Sequence, residues 1–300
     1  MTDTSLKGVY SAAATPIEND GSPAFDLFTK HCHALLDEGC HGIALMGTTG
    51  EANSFSLNER KALLEAALND GITGDKLLPG TSCNNLPETI ELTRHAIKCA
   101  VQACVILPPF YYKGVDDEGL FRFYAQIVEK VADPKLRVIL YHITQMTYVP
   151  ISHALISRLT EAFPGIFIGI KDSAGEIENM KAMTSKFPNF SVLAGADPLL
   201  LPLLQAGGAG CITATSNLRA DSLRFIWENW ADRSKAAEIE QHQNKINAWR
   251  NLSNSFAQLP TIKAMVAKRR NDNRWLGLRP PLNPLSPTEQ NQIWAQMEQI

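Results

Sequence analysis

Lys171 ends the run "IFIGIK", after five mostly apolar positions from Ile166 to Ile170. An ammonium among apolar side chains is costly to desolvate, so a lysine inside a barrel tends to lose its proton and become a nucleophilic amine. A neutral amine attacks a ketone. The resulting Schiff base carries an iminium that draws electrons from the neighbouring carbon, where a carbon–carbon bond can then form or break. Such chemistry also needs a proton carrier near the carbinolamine and a cradle for the substrate carboxylate. Tyr141, late in "RVILYH", can supply a phenol. The loop "GTTGE", Gly47 to Glu51, offers glycines for close backbone approach and the hydroxyls of Thr48 and Thr49.

These residues need elements that bring them together. Eight short β-prone runs recur, starting at Gly8, Gly42, Lys76, Ala103, Arg137, Ile166, Phe190 and Gly210. Helical patterns with readable starts lie between them: the capping box Ser56 to Glu59, Pro87 at a first helical position, and Asp116 with Asp117. Eight strands alternating with helices predict a closed parallel (β/α)₈ TIM barrel over 1–222. After Ser222 the strand signals stop, and 223–300 reads as a C-terminal helical region. An open doubly wound sheet is the competing fold, but no G-x-G-x-x-G follows the first strand. In a barrel, "GTTGE" follows the second strand, Tyr141 ends the fifth and Lys171 the sixth, so all three reach the carboxyl-end mouth.

Each feature has a plainer reading. Lys171 could pair with Asp172 or Glu51 at the rim, Tyr141 could be an ordinary strand-end aromatic, and "GTTGE" a turn feeding a helix. Their joint placement favours chemistry over the plain readings.

Composition excludes other classes. With 300 residues, 45% hydrophobic and a net charge of -3, the chain can bury a large core and has no long-range attraction to nucleic acid or anionic lipid. No apolar run is long enough to span a bilayer, and "MTDTSLKG" lacks a signal-peptide pattern, so the expected location is the cytoplasm. The 6 cysteines form no C-x-x-C pair. "HCH" at 31–33 invites a metal reading, but residues i and i+2 of a helix point apart. No metal or cofactor is expected.

"GTTGE", "PPFYY" at 108–112, the tyrosine of "LYH" and "IKDSAG" together resemble the dihydrodipicolinate synthase / N-acetylneuraminate lyase family of pyruvate-dependent class I aldolases. The similarity runs from Gly8 through "AGGAGCITATSN" at 206–217. It implies a (β/α)₈ barrel with a C-terminal helical part, assembled as a homotetramer of two dimers, and acting on a 2-oxo acid such as pyruvate. Lys171 matches the Schiff-base lysine, Tyr141 the proton-relaying tyrosine and Thr48 the hydroxyl of that relay. Thr48 and Thr49 match the carboxylate cradle, and the Ile212 backbone the carbonyl facing the keto acid. Tyr111 matches the tyrosine that reaches a neighbouring subunit's site, with Tyr112 an alternative.

The chain also departs from the family. Synthases read "YNVPGRTG" after the tyrosine, where this chain reads "YHITQMTYVP" with Met146 at the arginine's place. Sialate lyases carry an acid where this chain has Pro198. The implied activity is a lyase on another 2-oxo acid, with His142, Thr144, Gln145, Ser173 and Asp197 at the acceptor end. The alternatives are a dehydratase of a 2-keto-3-deoxy sugar acid, dihydrodipicolinate-type synthesis with Arg137 or Lys113 replacing the missing arginine, and a non-catalytic regulatory barrel.

Overall fold

Runs rich in Val, Ile and Leu become seven parallel strands: β1 (Gly8–Ala12), β2 (Gly42–Ala44), β3 (Cys104–Ile106), β4 (Val138–His142), β5 (Phe167–Asp172), β6 (Ser191–Ala194) and β7 (Gly210–Thr213). They are seen in a computed structural model that describes residues 6–300. The leading "MTDTS" of the stretch read for a leader lies outside the described residues. The strands are ordered β2-β1-β7-β6-β5-β4-β3.

The expected third strand, from Lys76, is not a regular one. Leu77 to Gly80 fills the gap between β2 and β3 through the isolated parallel bridges Ile43 to Leu77 and Gly80 to Val105. Leu78 N donates to Ile43 O at 2.8 Å, and Val105 N donates to Pro79 O at 2.9 Å. Pro79 has no N–H to give back, so the ladder is broken there even though the barrel is nearly closed. Gly80 is needed at this seam, because a Cβ would lie 2.2 Å from the Met46 carbonyl oxygen.

Around the strands run α1 (Phe25–Asp37), α2 (Leu57–Asn69), α3 (Leu86–Lys98), α4 (Asp117–Val131), α5 (Thr144–Thr147), α6 (His153–Ala162), α7 (Ile177–Lys186), α8 (Leu200–Gln205) and α9 (Ser216–Asn229). The starts follow local chemistry. Ser56 and Glu59 form the expected capping box on α2. Asn85 caps α3, which puts Pro87 at its second position, and Asp116 accepts from Gly119 N at 2.8 Å to cap α4. The fold is a (β/α)₈ barrel followed by α10 (Ala236–Ser253), α11 (Gln258–Arg270) and α12 (Pro287–Met297). The expected boundary at residue 222 falls inside α9.

Period-2 alternation sorts each strand into two cores. Ile139, Tyr141, Ile168, Leu193 and Ile212 pack together inside the barrel, whereas Val138, Leu140, Ile170 and Val192 pack outward against the helices. A third cluster joins α11 and α12 to Ala14, Ala214 and Leu218, which follow β1, β7 and the start of α9. Among the described residues, no helix is long and apolar enough to cross a membrane.

Candidate active site

Strands β4 and β5 lie side by side with Tyr141 opposite Lys171. Both side chains point into the barrel near its carboxyl-end mouth and are 4% and 5% exposed respectively. Lys171 Nζ sits 4.2 Å from the centroid of the Tyr141 ring. The Tyr141 hydroxyl is 3.2 Å from Thr48 Oγ1, across the barrel on the loop that follows β2. Lysine, phenol and threonine hydroxyl therefore form one continuous set. Burial pushes the Tyr141 phenol's pKa up, but the charge of Lys171 and hydrogen bonds with Thr48, Lys171 and Ser173 more than offset it, so the net shift is downward.

The loop Gly47–Glu51 is held in an unusual shape. Met46 and Glu51, on either side of Gly47–Gly50, adopt left-handed backbone with φ of 53° and 57°. Glu51 N donates to Thr48 O at 3.0 Å, Ala52 N to Gly47 O at 3.1 Å and Thr15 Oγ1 to Gly50 O at 2.9 Å. Among the described residues, the Thr48 and Thr49 amides meet no acceptor in the protein. Two free N–H groups beside two hydroxyls can bind a carboxylate. Ile212, in β7, is fully buried inside the barrel two strands from Lys171.

The plainer ion-pair reading of Lys171 is not what the structure contains. Asp172 points to the opposite side of β5, where it accepts from Ala174 N at 2.9 Å and from Asn179 Nδ2 at 3.0 Å. Glu51 is taken by Lys263 of α11, whose Nζ donates to Glu51 Oε1 at 2.6 Å with both side chains buried. Burial lowers the Lys263 pKa and the Glu51 carboxylate opposes that shift. Sequence reading missed Lys263. The available signal was a lysine inside "PTIKAMVA", a helical stretch buried on every side from Pro260 to Ala267.

Two acceptor-end residues are corrected. His142 follows Tyr141 in β4 and so faces away from the barrel, with Nδ1 accepting from Ile151 N at 3.1 Å. Burial holds its pKa below the usual value, the Asp172 charge partly offsetting this. Asp197 is fully buried and committed to Thr215 Oγ1 at 2.8 Å and Arg250 at 3.7 Å. Ser173, Thr144 and Gln145 stay at the mouth, where Gln145 Nε2 donates to Ser173 O at 2.8 Å. Met146, in α5, is 58% exposed. Arg137 cannot stand in for an arginine there, because it precedes β4 at the opposite end of the barrel and donates to the Pro134 and Leu136 carbonyls. Lys113 is at the mouth, bonded to Thr147 O at 3.0 Å.

Tyr111 and Tyr112 lie 73% and 70% exposed on a loop held by Asn84 Oδ1, which accepts from Phe110 N and Tyr111 N. The histidines of "HCH" diverge as helix geometry requires. His31 is buried with Nε2 donating to Asn217 Oδ1 at 3.0 Å, and His33 lies beside Asp70 on the surface. All 6 cysteines are free, and Cys32, Cys40, Cys104 and Cys211 are buried.

The sequence profile of the dihydrodipicolinate synthetase family matches residues 5–300. The chain belongs to this family. A Chloroflexus aurantiacus member named an uncharacterized DapA-like lyase is 33% identical over 297 residues, covering 98% of this chain and 97% of its own length. A Rhizobium meliloti 4-hydroxy-tetrahydrodipicolinate synthase is 34% identical over 214 residues, 71% of each chain. Among solved structures, a prophage protein of the dihydrodipicolinic acid synthase family from E. coli K12, in complex with pyruvate, superposes with a TM-score of 0.89 at 25% identity over 98% of both chains. As a member of the dihydrodipicolinate synthetase family, the protein is an enzyme of the class I aldolase type.

Proposed function

We propose that the protein is a lysine-iminium lyase that cleaves a 2-oxo acid with a neutral or hydroxylated far end and releases pyruvate. The observation that carries this reading is the Lys171–Tyr141–Thr48 set at the barrel mouth, with Met146 where a synthase has its arginine. The pyruvate complex of the E. coli relative supports pyruvate as the common fragment.

In this reading, Lys171 Nζ adds to C2 of the oxo acid while Thr48 and Thr49 hold its carboxylate. Tyr141 hands a proton to the departing carbinolamine oxygen, and water leaves to give the iminium. Electrons from the C3–C4 bond flow into the iminium as the C4 hydroxyl gives up its proton, which yields an aldehyde and an enamine. Protonation of C3 and hydrolysis then free pyruvate and Lys171. The Ile212 carbonyl faces the bound acid, and Ser173, Gln145 and Thr144 meet the far-end hydroxyls. Elimination of a C4 hydroxyl from a 2-keto-3-deoxy sugar acid would use the same iminium.

Assembly is part of the proposal. Exposed Tyr111 and Tyr112, with Tyr148 71% exposed beside them, suit contact with a second copy in a homotetramer, with Tyr111 contributing to the neighbour's site. The barrel through about residue 222 carries the chemistry, the C-terminal helices support it, and the enzyme works in the cytoplasm. The test compares kcat/KM for pyruvate release from a panel of 2-keto-3-deoxy sugar acids with condensation of pyruvate and aspartate semialdehyde. Faster sugar-acid cleavage supports the reading, sugar-acid dehydration without pyruvate release selects the elimination, and efficient condensation contradicts both.

A further inference from the structure

The Gly47–Glu51 loop is under backbone tension that something must hold. Left-handed conformations at non-glycine residues persist only where the surroundings over-determine them, and this loop has one at each end, Met46 and Glu51. Thr15 Oγ1 holds the Gly50 carbonyl from the β1 side. Glu51 is held from elsewhere. Its amide closes on Thr48 O, and its carboxylate has one partner, Lys263 Nζ at 2.6 Å; among the described residues Oε2 has none. Lys263 is itself 1% exposed and rides on α11, whose neighbours Met265 and Val266 pack in one cluster with Ala14 and Ala214 just past the strand ends.

A fully buried ion pair between residues 212 positions apart contributes little net stability against apolar groups of similar volume, so its presence next to strained backbone calls for another explanation. The strained turn contains the Thr48 and Thr49 amides and hydroxyls. Releasing Glu51 would let its backbone relax out of the left-handed region, and because its amide is bonded to Thr48 O, that relaxation moves the donors.

We propose that Lys263 is a positioning residue for the 2-oxo acid's carboxylate: its buried pair with Glu51 fixes the left-handed turn that aims the Thr48 and Thr49 donors, an inference that rests on the lysine-iminium reading above. The C-terminal helical part then sets the site's affinity without touching the substrate.

The experiment uses the full chain and pyruvate as the probe, and follows borohydride trapping on Lys171 as a function of pyruvate concentration. Lys263→Met and Glu51→Gln should each raise half-saturation by about tenfold or more, while the trapping rate at saturating pyruvate stays within about threefold. The double variant Lys263→Met/Glu51→Gln has no unpaired buried charge, so its melting temperature should recover relative to Lys263→Met while half-saturation stays raised. Lys263→Arg, which keeps the charge, should recover part of the affinity. A double variant that saturates within about twofold of the wild type, whatever its melting temperature, would show a purely structural pair and overturn the proposal. If Lys263→Met and the double variant fail to fold, Glu51→Gln alone decides by the same criterion. A wild-type protein with no adduct on Lys171 would refute the reading of the site instead.

Discussion

Replacing Tyr141 with Phe removes one oxygen and little else. The ring stays packed inside the barrel and keeps its 4.2 Å approach to Lys171 Nζ. The lost bonds are those of the hydroxyl, the 3.2 Å contact with Thr48 Oγ1 and the links to Lys171 and Ser173, each a net stability change of about 1 kcal/mol. Thr48 is only half-buried, so water can satisfy its hydroxyl. The fold should therefore survive with a small drop in melting temperature. Turnover should not. A positioned proton carrier contributes about 10²- to 10⁴-fold, which is roughly 2.7–5.4 kcal/mol of barrier at 1.36 kcal/mol per decade. The assay is the rate of pyruvate adduct formation on Lys171, quenched with borohydride and read by mass spectrometry across pH. In the wild type, Tyr141 must hold a proton to donate it, so the rate should fall as pH rises through its folded-state pKa, which lies below the usual 10.0 of a tyrosine. In Tyr141→Phe that alkaline limb should vanish. A variant within about threefold of the wild-type rate, or one that keeps the limb, would place the relay on another group.

Stability should fall in mild acid because of His31. Burial is the main cause that brings its pKa from 6.5 to about 4, so the fold binds it neutral beside Arg270. A base with a depressed folded pKa contributes its full stability above 6.5 and loses it as pH drops toward 4, roughly 3 kcal/mol in all at 1.36 kcal/mol per unit. Denaturant titrations at pH 7 and 4.5 should show a smaller acid loss in His31→Gln than in the wild type, and equal losses would refute the assignment. Met146→Arg should raise kcat/KM for condensation with aspartate semialdehyde. A charge-assisted bond is worth about 1.5–3 kcal/mol, and solvent screening at this exposed position places the gain near the low end, about tenfold. An unchanged ratio would mean that Lys113 or another group already binds the acidic end.

The grouping of the proposed reacting residues was legible because a parallel barrel delivers every strand's carboxyl end to one mouth. Lys171, Tyr141 and the Gly47–Glu51 loop could thus be brought together from strand positions, while Thr48 as the relay hydroxyl came from the family resemblance. Errors arose where that rule stops. His142 is one residue past Tyr141, and a period of two turns it to the outside. Asp197 looked available at a strand end but is committed to Thr215 and to Arg250 of the later α10. The third strand read as β-prone from its apolar residues, while Pro79 removed a donor that the ladder needs. Lys263 was out of reach for a different reason. Its partner Glu51 lies 212 residues earlier, and only packing of α11 beneath the strand ends brings the two charges to 2.6 Å.

The central claim is that Lys171 is the nucleophile, and one measurement tests it directly: incubation with pyruvate and borohydride, digestion, and mass mapping of the adduct. The account predicts a reduced pyruvyl group on the peptide containing Lys171 and none in Lys171→Ala. An adduct on another lysine, or an active enzyme with no adduct, would contradict it.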